Sequence, residues 1–539
     1  MKKRGFLFCI CLIFIIVLAA GCEDVEDIQN IEENVNSRRK INHNNELLIP
    51  VTKFETLNPI MNTDNSIYHL NMLIYEGLLK LDGNQQPQSA LATGWEVSTD
   101  ANTWTFTLRN NVKWHDDSPF TAEDVKFTID VLRLSKGGKE SSIYGFYTDR
   151  IKEVKVLQGN KVSIVFDSGA NAFPELFTFP ILPKHKFKSV QEVYTAKNLT
   201  PVGTGLYKVN EYHKSRYIKL VANSDYWGKQ PNIKTIFAKI VPDKETALTS
   251  LEANEVALAK SNDFDWEKYS EDQTLKIYEH MTQEFEFLGF NFKRELMQNK
   301  NVRQAIAYGV DRQALINDIY LGHATVSDVP INPDSWLYDE NEKKYGYDLT
   351  RAKNSLVENN WQIKYPNPYF ENEAGQKLSL HLLVNSENNL RVRTAEMIKN
   401  HLKDVGIEII IDKVSWEEYL SRLYSNNFDM VLGGWQLSII PDLSFALYSA
   451  SGTTNNFIGF SNPEMDNLLV TAAVTTDAQK KKEIYSAIQG KITEELPYFG
   501  LFFKNSSVVI RDYVGGDVSP KPFNIYYNIE NWILEDMEE

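Results

Sequence analysis

Alternating apolar and polar segments between residues 377 and 434 predict a β-α-β-α-β unit. Three short runs are dominated by Leu, Ile and Val, which is typical of buried strands; they read KLSLHLLV, IEIIIDKV and FDMVLGG. Two longer segments between them have apolar residues at helical spacing and read NNLRVRTAEMIKNHLKDVG and SWEEYLSRLYSN. The first of these ends at Gly406, and glycine commonly follows a helix. This order favours a parallel sheet with right-handed crossovers.

The same unit identifies two loops as candidates for ligand binding. Ligands of open parallel sheets bind beyond the carboxyl ends of the strands. The loops after the first and third predicted strands run from Asn385 to Arg393 and from Gly434 to Phe445. We therefore expect a binding site to include residues from both loops.

An earlier region of the chain predicts a β-hairpin followed by a helix. Residues from Trp104 to Leu108 alternate between apolar and polar side chains, as a half-buried strand does. A polar turn at 98–102 joins this strand to a partner that includes 95–97. Thr121 is a good N-cap, and Asp124 three residues later completes a capping-box pattern. Strands and helices are mixed along the chain, which predicts an α/β protein.

The beginning of the chain has the layout of an export signal. Lys2, Lys3 and Arg4 precede an unbroken apolar run from Phe6 to Ala20. A transmembrane helix needs about 20 apolar residues, so this run is short for a span, whereas a basic head and an apolar middle are typical of a secretory signal. The alternative is a simple N-terminal anchor that remains uncut. In both cases the rest of the chain lies outside the cytoplasm.

The stretch Leu18-Ala19-Ala20-Gly21-Cys22 resembles the lipobox of bacterial lipoproteins. The resemblance implies cleavage just before Cys22 and a diacylglyceryl group on its sulfur. The other two cysteines, Cys9 and Cys11, leave with the signal, so the mature chain has no free thiol and no disulfide. Residues 23–46 are rich in Glu, Asp and Asn, a composition that stays disordered. They predict a flexible tether between a lipid anchor and a globular body.

Composition and motifs argue against an enzyme. A mature chain without free cysteine excludes thiol enzymes, Cys-ligated zinc proteins and iron–sulfur proteins. The 9 histidines are scattered, and we find no H-E-x-x-H, G-x-S-x-G or P-loop motif. A metal at 115–117 (HDD) is an alternative that the surrounding hairpin-to-helix connection disfavours. We expect no cofactor, no metal site and no catalysis, with a secreted hydrolase as the least favoured interpretation.

The net charge of the chain argues against nucleic acid and anionic lipid as partners. The formal net charge is −15, and an acidic surface argues against nucleic acid and against broad contact with anionic lipid. Apolar content is 42%, which is ordinary for a globular protein. We expect a monomer that touches the membrane only through its lipid anchor.

Three segments together carry a family resemblance. They read YEGLLKLDG, LATGWEVSTDANTWTFTLRNNVKWHDDSPFTAEDVKFT and NVRQAIAYGVDRQALI. They resemble conserved blocks of the extracytoplasmic solute-binding proteins that serve oligopeptide and dipeptide ABC importers, and the likeness runs from about Leu47 through nearly the whole chain. It implies a two-lobed periplasmic-binding-protein fold with an extra inserted domain, a cleft between the lobes and closure about a hinge.

The resemblance also implies a division of the chain into segments. After the signal (1–21) and the lipidated tether (22–46), the chain alternates between a first lobe, an inserted domain and a second lobe. The predicted segments are 47–75, 184–286 and 506–539 for the first lobe, 76–183 for the inserted domain, and 287–505 for the second lobe.

The loop GGWQLSIIPDLSF supplies the first candidate ligand residues. Gly434 lets backbone approach a ligand closely, and Trp435 follows it. Family members have Gly-Trp here, and in many an Asp three residues after the Trp pairs with the amino group of the peptide; this chain has Ser438 there. Other members have Asp five residues after the Trp, where Ile440 stands. The remaining acid, Asp442, either binds a ligand amine or caps the helix that follows.

The loop from Asn385 to Arg393 supplies three more candidate ligand residues, which are Asn385, Arg391 and Arg393. An Arg can hold a carboxylate through two hydrogen bonds, which suits the C-terminus of a peptide. The alternative for both arginines is a solvated helix face, which we favour.

Two further places in the chain are candidates through the resemblance. Tyr144, with Phe146 and Tyr147, lies where the family uses aromatic residues to wall the cleft; the alternative is the core of the inserted domain. Thr63 and Asn65, in the segment NTDNS, are candidates for backbone pairing with an extended ligand, a mode in which main-chain bonds supply affinity.

The sequence indicates the family more clearly than it indicates the class of ligand. Peptide is the favoured ligand, but related proteins take nickel complexes, haem, opines or sugars, and the absence of acids at Ser438 and Ile440 points toward an atypical ligand. A peptide sensor without transport is a further alternative.

The lipobox makes a direct prediction about Cys22. The wild-type protein should partition into detergent with a modified Cys22, because two acyl chains anchor stably. The Cys22→Ala variant should remain in the aqueous phase. Lipidation of Cys22→Ala, measured by mass spectrometry of the mature N-terminus, contradicts the prediction.

Overall fold

A computed structural model of the protein describes residues 46–135, 142–167, 173–195, 200–261, 264–452 and 455–535. The predicted signal, the predicted tether and Cys22 lie outside these residues, apart from Glu46. Within them the strands are β1 Glu46–Thr52, β2 Leu79–Leu81, β3 Pro87–Ser89, β4 Ala92–Val97, β5 Thr103–Leu108, β6 Ile151–Leu157, β7 Lys161–Phe166, β8 Tyr207–His213, β9 Tyr217–Ala222, β10 Thr235–Val241, β11 Leu258–Ser261, β12 Leu275–Phe290, β13 Ala324–Val326, β14 Gln362–Ile363, β15 Phe370–Glu371, β16 Ser379–Asn385, β17 Glu408–Val414, β18 Met430–Gln436, β19 Tyr498–Arg511, β20 Val514–Gly516 and β21 Trp532–Leu534.

The helices of the described residues connect these strands. They are α1 Asn65–Ile74, α2 Ala122–Leu134, α3 Gly145–Thr148, α4 Glu192–Thr195, α5 Lys244–Glu252, α6 Glu295–Gln298, α7 Lys300–Gly309, α8 Arg312–Tyr320, α9 Leu349–Val357, α10 Asn389–Val405, α11 Trp416–Tyr424, α12 Ser444–Leu447, α13 Pro463–Val474 and α14 Ala478–Glu495, with short 3₁₀ turns at Pro174–Phe177, Lys184–Lys186, Trp266–Tyr269 and Ile529–Asn531.

The predicted hairpin is confirmed as part of an antiparallel sheet with the order β4-β5-β7-β6. Val97 stands opposite Trp104, and the side chains of Trp104, Phe106 and Leu108 are buried. The predicted capping box is also confirmed, because the Thr121 backbone N–H donates to Asp124 at 2.8 Å. Local pattern alone therefore predicted this part of the fold.

The predicted β-α-β-α-β unit is confirmed between β16 and β18. β16 pairs in parallel with both β17 and β18, while α10 and α11 form the crossovers. Helix α10 ends at Gly406, whose φ of 102° is in the left-handed region that glycine tolerates. Two bounds differ from the prediction: α10 begins at Asn389, which leaves only 386–388 as a loop, and β18 continues to Gln436, so Gly434 and Trp435 lie in the strand.

This unit belongs to the largest sheet of the described residues, which has the order β11-β19-β12-β18-β16-β17 with β13 beside β19. Both of its faces are buried. Leu382 and Leu432 pack into one core with α7, α8 and α10, and their neighbours Leu383 and Val431 pack into a second core with α13 and α14. Coverage on both faces explains why the strands read as continuous apolar runs.

Two long strands run through this sheet. β12 and β19 pair antiparallel, and the predicted boundaries at 286/287 and 505/506 fall inside them. The chain therefore passes between the predicted first and second lobes through paired backbone. A separate sheet, β1-β10-β9-β8, lies in the predicted first lobe. The predicted division into domains stays a prediction.

No helix among the described residues is long and apolar enough to cross a membrane.

One close backbone approach joins the segment 203–205 to the end of α1. The Gly205 N–H donates to the Ile74 carbonyl at the end of α1 at 2.9 Å. A Cβ atom at Gly203 would collide with the carbonyl oxygen of Ile74. Only glycine permits this contact, so residue 203 has no tolerance for a side chain.

We predict that Gly203→Ala lowers the free energy of unfolding by about 2 kcal/mol or more, because the collision is with backbone and forces a main-chain shift. Gly94→Ala is the matched control, since a Cβ there meets no atom within 4 Å. Denaturant unfolding of both variants checks this. Equal stabilities would show that the 203–205 segment relaxes freely.

Candidate ligand-binding cleft

A cavity of about 570 Å³ lies between the predicted inserted domain and the predicted second lobe. Small-molecule sites in proteins commonly measure about 300–1,000 Å³. We call it the interlobe cavity. Its wall comes from distant parts of the chain, namely Gln85, Phe146, Arg150 and Glu175, then Gln283, 330–332 and 335–337, and finally 436–445 with Tyr448, Ser451 and Asn455.

The cavity lies at the carboxyl end of β18, where the sequence analysis expected a site. Hydrogen bonds fix the loop after this strand. The Leu437 N–H donates to the Gln283 carbonyl on β12 at 2.9 Å. The Ile440 N–H donates to the Ser438 hydroxyl at 3.0 Å, and the Tyr485 hydroxyl donates to the Pro441 carbonyl. These three bonds fix the conformation of the loop, and residues 436–445 line the cavity.

Two of the predicted loop residues, Ser438 and Asp442, line the interlobe cavity. One carboxylate oxygen of Asp442 accepts the Ser444 N–H at 2.9 Å, at the first residue of α12. The N-cap of α12 is Leu443, so this contact is a local turn just before the helix, and both interpretations of Asp442 stay predictions.

Glu175 is a cavity residue that the sequence analysis missed. It lies in the turn Pro174–Phe177 and is only 2% exposed. Its Oε2 atom has no hydrogen-bond partner among the described residues. Burial raises the pKa of this carboxyl to about 7, although Lys481 opposes the shift. The available signal was a single acid inside the apolar run FPELFTFPIL.

Lys481 on α14 is a buried cation whose charge interacts with Glu175 and Asp442. It is 3% exposed, and its Nζ lies 4.4 Å from the centroid of the Phe173 ring. Burial lowers the pKa of Lys481, and the charges of Glu175 and Asp442 oppose that shift. The residue stands in a run of three lysines, so the sequence did not mark it. Glu175 and Asp442 therefore line the cavity, and the buried ammonium of Lys481 interacts electrostatically with both.

A second cavity of about 430 Å³ lies against the first and is walled by aromatic rings. We call it the aromatic cavity. The predicted residue Tyr144 lines it, together with Tyr68, Tyr147 and Trp227, and Ile439 lines both cavities. Burial raises the pKa of Tyr147 to about 12, so its phenol stays neutral and able to donate a hydrogen bond. Tyr144 is thus at a cavity wall.

Glu76 organises the aromatic cavity. Its carboxylate accepts hydrogen bonds from the Thr204 hydroxyl at 2.9 Å, the Tyr226 hydroxyl at 3.0 Å and the Trp227 indole at 3.0 Å. Burial raises the pKa of Glu76, and the three donors oppose the shift. A carboxylate with this many partners positions the surrounding rings.

Trp435 packs inside the protein. Its ring centroid lies 4.2 Å from that of Phe287, 4.7 Å from that of Tyr498 and 5.2 Å from that of Phe445. It is half-buried and is absent from the residues that line the interlobe cavity. Its contact with a ligand stays a prediction.

Arg391 has a partner within the protein. Its Nε and Nη2 atoms donate to the two carboxylate oxygens of Glu286 at 2.8 and 2.9 Å, and Lys504 Nζ lies 3.1 Å from the same carboxylate. The Glu286 side chain is 3% exposed. A Cβ atom at Gly434 would collide with both Arg391 and Glu286, so this glycine makes room for an ion pair. The pair favours a structural role for Arg391.

The remaining candidates lie apart from the interlobe cavity. The exposed Arg393 donates to the Asp318 carbonyl at 2.9 Å, and Asn385 accepts the Glu387 N–H at 3.0 Å. Thr63 and Asn65 are exposed at the start of α1, where Asp64 is the N-cap. Their roles in binding stay predictions.

Two hydrogen bonds join the walls of the interlobe cavity. The Trp336 N–H donates to the Asn84 carbonyl at 2.9 Å, and the Gln283 amide donates to the Gln85 side chain at 3.0 Å. The described residues contain no group of three or more His, Cys, Asp or Glu side chains that could hold a metal ion.

A two-lobed α/β fold with a cleft between the lobes defines the class of extracytoplasmic solute-binding proteins. Residues 86–457 match the family of bacterial extracellular solute-binding proteins, family 5 Middle. The chain therefore belongs to this family, as the sequence resemblance implied. It is a family of solute-binding proteins of transport systems, not of enzymes.

Individual relatives are similar along most of their length. Oligopeptide-binding protein AppA from Bacillus subtilis (strain 168) is 28% identical over 496 residues, which cover 88% of this chain and 89% of the relative. The dipeptide-binding protein of Escherichia coli (strain K12) is 27% identical over 478 residues, covering 82% and 86%. The solved structure of AppA from Bacillus subtilis in complex with a nonapeptide matches with a TM-score of 0.61 at 26% identity, covering 91% of this chain and 99% of that one.

We predict that Arg391→Ala lowers the free energy of unfolding by about 3 kcal/mol or more, because it leaves Glu286 buried beside Lys504 alone. Arg393→Ala is the matched control and should change stability by less than about 0.5 kcal/mol. Denaturant unfolding measures both. Unchanged stability of Arg391→Ala would instead favour a role in ligand binding.

Proposed function

We propose that this protein is a lipid-anchored extracytoplasmic binding protein that captures oligopeptides in the interlobe cavity and delivers them to an ABC importer. The observation that carries the proposal is the interlobe cavity, which is lined by residues of the predicted inserted domain and of the predicted second lobe. The chain belongs to a family of solute-binding proteins. Relatives named for oligopeptides and dipeptides support peptide as the ligand.

The chemistry of the cavity wall suits a peptide main chain. Gln85, Asn332, Gln436 and Ser438 supply amide and hydroxyl groups, and these can pair with the N–H and C=O groups of any peptide. Phe146 and Ile439 supply apolar surface for side chains. Polar groups that bind the main chain and apolar groups that tolerate varied side chains together give affinity with limited sequence preference.

The anchor at Cys22, the monomeric state and the division into two lobes with an inserted domain are parts of the same proposal. A protein held at the membrane by a flexible tether stays close to an importer while its cleft remains free to open. The acidic charge of the chain keeps the globular body off an anionic lipid surface.

A non-peptide ligand is the second candidate. The observation that favours it is the replacement of the family acids by Ser438 and Ile440. Mass spectrometry of the protein purified under non-denaturing conditions separates the two candidates, since a peptide series supports the first and a single metal complex, opine or sugar supports the second.

We predict that a bound peptide closes the cleft. Contacts with both walls stabilise the closed form only when the ligand is present, so binding shifts the population toward it. Small-angle scattering of the full mature chain should give a smaller radius of gyration with a saturating peptide than without it. Free glycine at the same mass concentration is the control for solvent contrast. An unchanged radius, with peptide occupancy verified by native mass spectrometry, argues against closure.

A further inference from the structure

The pairing of β12 with β19 is interrupted at one place among the described residues. Met281 stands opposite Asn505 and Phe285 stands opposite Phe503, so residues 282–284 oppose a single residue of β19. We call residues 282–284 the bulge. A bulge leaves part of a ladder unpaired and bends the strand. β11 pairs on one side of it, whereas β13 and β18 pair from the bulge onward. The predicted boundaries between the two lobes, at 286/287 and 505/506, lie next to this bulge.

A buried histidine connects the two sides of the bulge. His323 lies between α8 and β13 and is 4% exposed. Its Nδ1 atom lies 3.2 Å from Glu279 Oε2, and its Nε2 atom lies 3.9 Å from Glu267 Oε1. Its ring centroid lies 4.3 Å from that of Trp266. We call these four residues the His323 cluster. His323 belongs to the predicted second lobe and the other three belong to the predicted first lobe.

The His323 cluster lies on the face of the largest sheet that is turned away from the interlobe cavity. Tyr320, whose carbonyl accepts the His323 N–H at 2.8 Å, packs into the core with α7, α8 and α10. Ile331 and Leu443 of the cavity wall belong to the core on the opposite face. His323 therefore does not touch a ligand in the interlobe cavity. It acts on that cavity only through the relative position of the two sides of the bulge.

Both ring nitrogens of His323 face carboxylates. A carboxylate can only accept, so the Nδ1 atom carries a hydrogen and donates it to Glu279. In the neutral ring the Nε2 atom then presents a lone pair toward Glu267, and it has no hydrogen-bond partner among the described residues. Protonation turns Nε2 into a donor and places a positive charge between two carboxylates. The protonated ring therefore holds the His323 cluster together more strongly.

The other charged groups on the surrounding elements interact with partners of their own. The second oxygen of Glu279, Oε1, accepts the Asn505 amide at 2.6 Å. Glu267 and Glu279 are partly exposed, so solvent screens their charges and limits the effect to severalfold. The remaining charges are Asp265 with Lys268, Lys276 with the Asp512 carbonyl, Lys504 with Glu284 and Glu286, Arg312 with Asp328, and Asp318, which acts on His401.

We propose that the His323 cluster is a pH-sensitive lock on the bulge, tightened by protonation of His323 and loosened by its deprotonation. In the locked form described here, the hydrogen bonds from Trp336 and Gln283 also join the walls of the interlobe cavity. Because the locked form binds the additional proton better than a form in which the contact is broken, lowering the pH favours the locked form. The inference holds for any class of ligand.

The decisive experiment measures opening of the bulge with no ligand added. Hydrogen–deuterium exchange of the full mature chain is followed by mass spectrometry in peptides that cover 280–286 and 503–507. Wild type and His323→Phe are compared at about pH 5.5 and about pH 8, which bracket the range in which histidine side chains titrate. The phenyl ring retains the stacking on Trp266 and removes both nitrogens. The ratio of the two rates at one pH cancels the intrinsic dependence of exchange on pH.

The lock predicts a ratio that depends on pH. His323→Phe should exchange the bulge amides about fivefold faster than the wild type at the lower pH, as expected for one charged hydrogen bond. The ratio should fall to about twofold at the higher pH, where the neutral ring keeps only its bond to Glu279. The same ratio in the peptide 379–385 of β16 should stay near one, because local opening of the bulge leaves β16 paired.

Two further variants sharpen the test. Glu279→Gln retains an oxygen that accepts the Nδ1 hydrogen but removes one of the two charges, so its exchange should be faster than that of the wild type only at the lower pH. This variant also tests the lock if His323→Phe does not fold. His381→Phe is the matched control, because the exposed His381 makes an equivalent contact with Asp412 at 3.2 Å, between β16 and β17.

Each alternative result overturns the lock. A ratio near one at both pH values shows that the His323 cluster does not restrain the bulge. A raised ratio that is the same at both pH values assigns the effect to packing alone. A comparable rise in the β16 peptide indicates general loss of stability, and a comparable rise at the bulge in His381→Phe shows that the effect is not specific to His323. None of these results bears on the class of ligand, so the proposed function is tested separately.

Discussion

The antiparallel pairing of β12 with β19 fixes the register of the largest sheet of the described residues. β19 pairs on one side with β11, and β12 pairs on the other side with β18, whose end opens into the interlobe cavity. A shift of one residue in such a ladder turns every side chain to the opposite face. The position of Gln283 in the cavity wall, and the bond from its carbonyl to Leu437, therefore depend on this register.

The two buried charge clusters illustrate different solutions to the cost of removing ions from water. In the first, Arg391 and Lys504 both contact Glu286, and the fork of the arginine satisfies both carboxylate oxygens. In the second, the Oε2 atom of Glu175 has no hydrogen-bond partner among the residues that the structure describes, and burial raises the pKa of this carboxyl. The complete cluster keeps its charges, whereas the incomplete one favours the neutral acid.

Asn84 and Gln85 accept hydrogen bonds that join the walls of the interlobe cavity. These bonds, donated by Trp336 and Gln283, are neutral, and each contributes about 1 kcal/mol. The closed form of a binding protein of this class then depends on what the ligand adds.

Much of the fold was readable from the sequence because short-range pattern determines it. The spacing of apolar residues predicted the hairpin and the β-α-β-α-β unit. The capping box at Thr121 predicted the start of one helix, and Gly406 predicted the end of another. The end of the third predicted strand, now β18, was correctly expected to lie at a cavity. The family resemblance predicted the fold class, and the family match confirms it. These signals are local, so no knowledge of distant contacts was needed.

The tertiary structure alone decided which side chains meet at the cavity. Glu175 and Lys481 are 306 positions apart by subtraction of their numbers, and neither belongs to a motif. We favoured a solvated helix face for Arg391, but the strand pairing places the buried Glu286 beside it. Trp435 was expected at the end of a strand, where aromatic rings from other segments contact one side of it. A sequence specifies the chemistry of each residue, whereas the long-range register of β12, β18 and β19 selects its partners.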